Sequence, residues 1–286
     1  MRKWVDKYLS ELADTNKKIK LIIADVGDFP KFSEKHPESF INVGVSESNA
    51  VGVAAGLASA GYTVFIYGIS SFFLYRAYEQ FKYSIAYWQK NVTFIGVGFG
   101  WKYYNIGIGH FCPDDILLVQ GLPSFEIHTP YSINQLYNLL SQSSNNPRYI
   151  RLTANIVYDN ISCQLKDCSV VIVSYGEMIT TCLSVLKSLK RKGYNIGFLP
   201  FTFIDKETIK NMIENYMQTK FIVIEDQCEH GGLYPIFKDL NVNIISHICL
   251  PILPNLVSSS RIELLKEYKL DENSLINRII ECIDYE

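Results

Sequence analysis

Short, nearly continuous apolar runs alternate along the chain with longer stretches whose apolar residues recur at helical spacing. The runs at 20–25 (KLIIAD), 40–45 (FINVGV), 63–67 (TVFIY) and 92–98 (VTFIGVG) are rich in Ile, Val and Phe. That pattern predicts strands buried on both faces of a parallel sheet. Between them, 48–60 and 72–88 have helical length and composition, and Gly61 stands where a helix C-terminal glycine would. Segments 124–128 and 148–152 predict two more strands, with a helix over 132–143 between them. A polar stretch from Thr153 to Asp167 then interrupts the alternation. The pattern restarts with strands at 169–174, 195–201, 221–225 and 243–248, and helices at 178–192, 206–217, 232–240 and 272–284. Strand–helix alternation of this kind predicts an α/β protein of two domains, each a mostly parallel sheet covered by helices. The boundaries expected are 1–155 and 168–286, with a linker over 156–167.

Composition narrows the class. Of 286 residues, 48% are hydrophobic and 13% aromatic, enough to fill two cores and too many for a disordered chain. The 27 Lys+Arg against 29 Asp+Glu leave a net charge of −2, which offers no general footprint for nucleic acid or an anionic membrane. No apolar run approaches the ~20 residues of a membrane span. The charged N-terminus does not resemble a signal peptide, so a soluble, cytoplasmic protein is expected. Seven scattered cysteines (112, 163, 168, 182, 228, 249 and 282), without a C-x-x-C pair, fit reduced thiols better than a disulfide framework or a zinc site.

Three segments could carry chemistry. In the first, a strand delivers Glu47 to the start of a helix, at the sheet edge where ligands usually sit. That helix is built of Gly52, Ala54, Ala55, Gly56, Ala58 and Ala60, small enough for another backbone to approach. The residues alone also allow Ser46 or Ser48 to cap the helix and Glu47 merely to favour its positive end. In the second, Phe72 and Phe73 follow a strand and turn, where they could stack on a planar heterocycle or simply fill the core. In the third, the Gly- and Tyr-rich loop 98–115 carries His110, a general acid/base candidate.

Taken in order, these segments resemble the C-terminal half of transketolases and their relatives, enzymes dependent on thiamine diphosphate. The resemblance extends to 24–28 (ADVGD), 147–152 (PRYIRL) and 225–233 (EDQCEHGGL), and so covers nearly the whole chain. It implies a pyrimidine-binding domain followed by a transketolase C-terminal domain. It implies that Glu47 hydrogen-bonds the cofactor's pyrimidine, since a buried carboxyl can share a proton with a ring nitrogen. Phe73 with Phe72 would pack on that ring, and Arg76 is counted with the cofactor-binding residues. His110 would serve both catalysis and substrate binding, donating to a developing oxyanion or moving a proton. Arg151 would contact substrate or, alternatively, form a structural ion pair.

The sequence also departs from the family. Ser70 stands where many transketolases place another aromatic, and Phe111 where many split members have a second histidine. Ala154 stands where an arginine commonly anchors a sugar phosphate. An altered acceptor is therefore expected, a nucleotide-linked or atypically phosphorylated keto-sugar. The Gly-Asp-Gly…Asn motif with which the family holds Mg²⁺ and the diphosphate finds no match, so no metal ligand is assigned to this chain. The resemblance thus implies one subunit of a split enzyme, an α2β2 heterotetramer whose N-terminal partner holds the Mg²⁺. Its reaction would be transfer of a two-carbon ketol unit between sugars. Two alternatives remain: acyl transfer from pyruvate, as in deoxyxylulose-phosphate synthases, and a non-catalytic regulatory or scaffold subunit.

Overall fold

The structure, a computed structural model, describes residues 1–154, 156, 161, 165, 168–252 and 261–284. The first unit runs α1 (Arg2–Thr15), β1 (Ile19–Ile23), α2 (Pro30–Lys35), β2 (Phe40–Asn42), α3 (Glu47–Ser59), β3 (Thr63–Ile69), α4 (Ser70–Arg76) and α5 (Tyr78–Gln80). It continues through β4 (Val92–Val97), α6 (Asp115–Gln120), β5 (Glu126–His128), α7 (Ile133–Ser141) and β6 (Arg148–Arg151). The second has β7 (Val170–Tyr175), α8 (Met178–Arg191), β8 (Ile196–Phe201), α9 (Lys206–Ile213), β9 (Lys220–Cys228), α10 (Tyr234–Asp239), β10 (Ile244–Leu250), α11 (Arg261–Glu267) and α12 (Glu272–Asp284). Two sheets result, ordered β2-β1-β3-β4-β6-β5 and β10-β9-β7-β8, and all the strand pairs within them are parallel. The α/β reading with two parallel sheets is what the chain adopts. The linker expected at 156–167 lies largely outside the described residues, as does Cys163.

Local chemistry explains the boundaries. Helix α3 buries Ala50, Val51, Ala54 and Ala55 on one face, the spacing of an amphipathic helix against a sheet. It ends as its glycine predicts. Gly61 has φ +86°, its N–H reaches the Ala58 carbonyl, and the next N–H, of Tyr62, reaches Leu57, a Schellman closure. The helix expected over 72–88 is interrupted. Ala77 leaves helical geometry at φ −119°, ψ 19°, and Phe81–Ala86 forms a wider π-type turn. That break lets Phe73 and Phe81 both pack on Phe94, with ring centroids 5.1 and 5.3 Å away. Helices α1 and α2 were not expected, although Val5, Leu9 and Ala13 recur at four-residue spacing and Pro30 stands at a helix start.

The two units are locked by a buried polar cluster. Arg151, at the end of β6, has no exposed surface. Its guanidinium makes bonds of 2.8 and 3.2 Å to the Asp115 carboxylate and donates to the Asp226 backbone carbonyl in the second unit. It also lies 3.8 Å from the Phe99 ring centroid and 5.5 Å from that of Tyr175. Burial pushes the Asp115 carboxyl up; it also works against the Arg151 charge, but Asp115, Tyr175 and Asp226 more than offset it and hold the guanidinium's pKa above its ordinary value. The two bonds between Arg151 and Asp115, with the Tyr149 hydroxyl donating to Asp115 at 2.7 Å, favour the ionised pair. The same cluster reaches α4, because the Ser70 and Tyr149 hydroxyls bond at 2.9 Å. A buried pair broken on one side leaves an uncompensated charge. Arg151→Ala should therefore lower unfolding stability by about 3–5 kcal/mol in urea titrations. A loss under ~1 kcal/mol would refute the pair as the junction's main tie.

Candidate active site

Strand order reverses between β1, whose outer neighbour is β2, and β3, which lies on its other side. The crevice beyond the carboxyl ends of the strands at such a point is where open α/β sheets bind ligands. Three connections meet there: β2 to α3, β3 to α4, and the loop after β4.

Glu47 is the first residue of α3 and only 5% exposed. Ser46 stands at the N-cap without a side-chain capping bond, and the Ser48 hydroxyl donates instead to the Arg76 carbonyl at 2.9 Å. Neither serine caps the helix. The Glu47 Oε1 accepts from Arg76 Nη1 at 3.0 Å; among the described residues no donor reaches its Oε2. Arg76 in turn lies 4.2 Å from the Phe72 ring centroid. The Phe72 ring meets His110 edge-on at 4.8 Å, and the His110 ring lies 6.3 Å from that of Tyr103. Four of the residues singled out from sequence, Glu47, Phe72, Arg76 and His110, thus form one contiguous row.

Two others lie elsewhere. Phe73 is 1% exposed and belongs to the core around Phe94. Gly68 makes the room, since a Cβ there would stand 2.1 Å from the Phe73 ring. Phe72 and not Phe73 presents its ring beside His110. Arg151, considered for substrate contact, is sealed in the junction, and the geometry there is that of the structural ion pair. Phe111, in place of a second histidine, is a core residue of the cluster that also holds Trp101. Cys112 is fully buried, and burial, then Asp115 and Asp114, push its thiol well up.

Beyond Tyr103 the row opens into a pocket of about 390 Å³, lined by Arg2, Lys3, Tyr67, Lys102, Tyr103 and Ala154. Gly98, at φ +74°, permits this shape: a Cβ would stand 2.3 Å from the Tyr103 ring. Burial raises the Tyr67 hydroxyl's pKa, and the Arg2 guanidinium facing it pulls the other way. Lys102 is ion-paired with Glu177, at the start of α8. Sequence reasoning missed Arg2, Tyr67 and Lys102, which are remote from one another along the chain. Their charge or hydroxyl was visible, but nothing in the spacing brought them beside Ala154.

Similarity to known proteins agrees with this geometry. The transketolase pyrimidine binding domain matches residues 1–158, and the transketolase C-terminal domain matches residues 160–275. The chain belongs to the transketolase family. It is 28% identical over 311 residues to an apulose-4-phosphate transketolase subunit of Phocaeicola vulgatus, covering 99% of this chain and 97% of that one. It is 30% identical over 300 residues to the 1-deoxy-D-xylulose-5-phosphate synthase of Clostridium acetobutylicum, covering 96% of this chain but only 48% of that protein. Among solved structures, a split-gene transketolase described as an inactive β4 tetramer superposes with TM-score 0.82 at 23% identity, covering 99% of this chain and 98% of that chain. The Phocaeicola transketolase subunit and the split-gene chain are thus similar in length to this one, and the synthase is about twice as long. Transketolases depend on thiamine diphosphate. The residues present suit its pyrimidine end: a buried carboxyl group with one open oxygen, in one row with an aromatic ring. Among the described residues no group of three His, Cys, Asp or Glu could hold a metal ion.

The division of labour between the two phenylalanines can be measured. Phe73→Ala should cost about 3–5 kcal/mol of stability, as large core truncations do. Phe72→Ala should cost under ~1 kcal/mol while weakening cofactor binding in the assembled enzyme. Equal stability losses would contradict the assignment.

Proposed function

We propose that this chain is the C-terminal subunit of a split, thiamine diphosphate-dependent transketolase, transferring a two-carbon ketol unit between sugars and active only with an N-terminal partner. The supporting observation is Glu47, buried at the sheet edge with Oε2 open, in one row with Phe72 and His110. When bound, thiamine diphosphate supplies the electron sink that permits cleavage of a carbon–carbon bond beside a carbonyl. Glu47 holds a proton against a pyrimidine nitrogen, a role that needs a carboxyl shielded from water. Arg76 fixes its orientation through Oε1, and Phe72 excludes water from the ring. His110 donates to, or takes a proton from, the substrate's carbonyl oxygen as charge develops there.

The partner holds Mg²⁺ and the diphosphate. Assembly as α2β2 is supported by the face of α3 bearing Gly52 and Gly56, where a Cβ added to either glycine would meet nothing within 4 Å beyond the helix itself, and by the likeness to single subunits of split transketolases. The domain junction falls within 156–167. A cytoplasmic site agrees with the lack, among the described residues, of a helix long and apolar enough to cross a membrane. The basic pocket beside Ala154 suits a substrate with an anionic group, carried by a nucleotide-linked or atypically phosphorylated keto-sugar acceptor.

Glu47→Gln should reduce turnover of the reconstituted pair at least about 100-fold while leaving assembly unchanged on size-exclusion chromatography. Activity within about twofold of wild type would end the cofactor-activation role and favour a scaffold. The likeness to deoxyxylulose-phosphate synthase keeps acyl transfer as a second reading. Product analysis with pyruvate against a ketose phosphate as donor separates the two, and ketol transfer from the ketose is expected.

A further inference from the structure

We propose that a second groove, which shares Arg2 and Lys3 with the basic pocket, binds a nucleoside diphosphate, so that the acceptor enters as a nucleotide-linked keto-sugar; this rests on the ketol-transfer reading. The groove encloses about 560 Å³ between the start of α1 and the segment leading into α2, and is lined by Arg2, Lys3, Trp4, Lys7, Asp28 and Lys31 among others. It shares Arg2 and Lys3 with the smaller pocket. A ligand spanning the two would touch both of these side chains.

Each part of a nucleoside diphosphate finds a matching group. Four cationic side chains, Arg2, Lys3, Lys7 and Lys31, face two carboxylates, Asp6 and Asp28. Asp6 is already committed, accepting from the Lys31 and Phe32 amides at 3.2 and 2.9 Å. Among the described residues the carboxylate that Lys7 pairs with is Glu11, at a long 3.8 Å. The remaining positive charge suits a diphosphate. Trp4 stands in the groove wall, its side chain half-buried. Its ring, with Lys3 and Lys7 ammonium groups 5.7 and 5.4 Å from the centroid, offers a face for a base. Asp28 is exposed at the rim, where its carboxylate can accept from ribose hydroxyls. A simple sugar phosphate would use the cations alone. With a net charge of −2 for the whole chain, the basic strip is a local feature.

The test is calorimetric titration of uridine, cytidine, adenosine and guanosine diphosphates into the full chain, alone and reconstituted with its partner. Inorganic pyrophosphate and uridine serve as controls. At least one nucleoside diphosphate should bind about tenfold or more tightly than either control. Trp4→Ala, which removes the ring, and Lys31→Ala, at an exposed position, should each weaken it about threefold or more. Glu47→Gln should bind unchanged. Pyrophosphate binding as tightly as every nucleotide, no nucleotide binding at all, or full affinity in both variants would overturn the proposal. Ketol transfer to simple sugar phosphates without nucleotide binding would sink this site and leave the reaction standing. Nucleotide binding with no thiamine diphosphate-dependent activity in the pair would support the site and sink the reaction.

Discussion

The buried pair of Arg151 and Asp115 fixes where everything else can stand. Its guanidinium gathers the end of β6, the start of α6 and the backbone of Asp226 on β9, and it lies against Phe99 and Tyr175 from opposite units. Loop 98–115 is anchored at both ends by this arrangement, through Phe99 and through Asp115. His110 rides on that loop. The Ser70–Tyr149–Asp115 chain of hydroxyls carries the same constraint to the start of α4, and so to Phe72 and Arg76. A charge cluster sealed between two sheets thus sets the spacing of groups that face solvent.

The site needs this support because its members come from three separate connections. Parallel strands bring the ends of those connections to one edge, and the reversal of strand order opens a crevice between them. Glu47 is held in that crevice by helix geometry and by Arg76, with one carboxylate oxygen open. The row of Phe72, His110 and Tyr103 leads from it to a pocket whose cations stand opposite Ala154. Side chains from α1, which contributes nothing to either sheet, complete the polar lining.

Much of this was legible in the sequence. Buried parallel strands are nearly continuous apolar runs, and those runs announced the architecture with only their ends displaced; β2, for example, stops at Asn42. The helix over 72–88 failed because its aromatics serve the core through a π-type turn, which periodicity alone does not reveal. Phe72 and Phe73 illustrate a deeper limit. Adjacent helical residues point about 100° apart, so one can face the core and one the site, but the choice was set by the space that Gly68 leaves. Arg151 carried both a substrate and a structural reading, and its buried pair with Asp115 together with its bond to the Asp226 carbonyl, 75 residues away in sequence, favours the second. Arg2 and Lys102 could not be seen as neighbours before the fold joined them.

The central claim is that this chain holds half of a cofactor site. Titrating thiamine diphosphate with Mg²⁺ into the chain alone, and then into the chain co-purified with its N-terminal partner, tests that claim most directly. Binding confined to the pair is the result expected of a site completed between subunits. Tight binding by the lone chain, or none by a properly assembled pair, would contradict it.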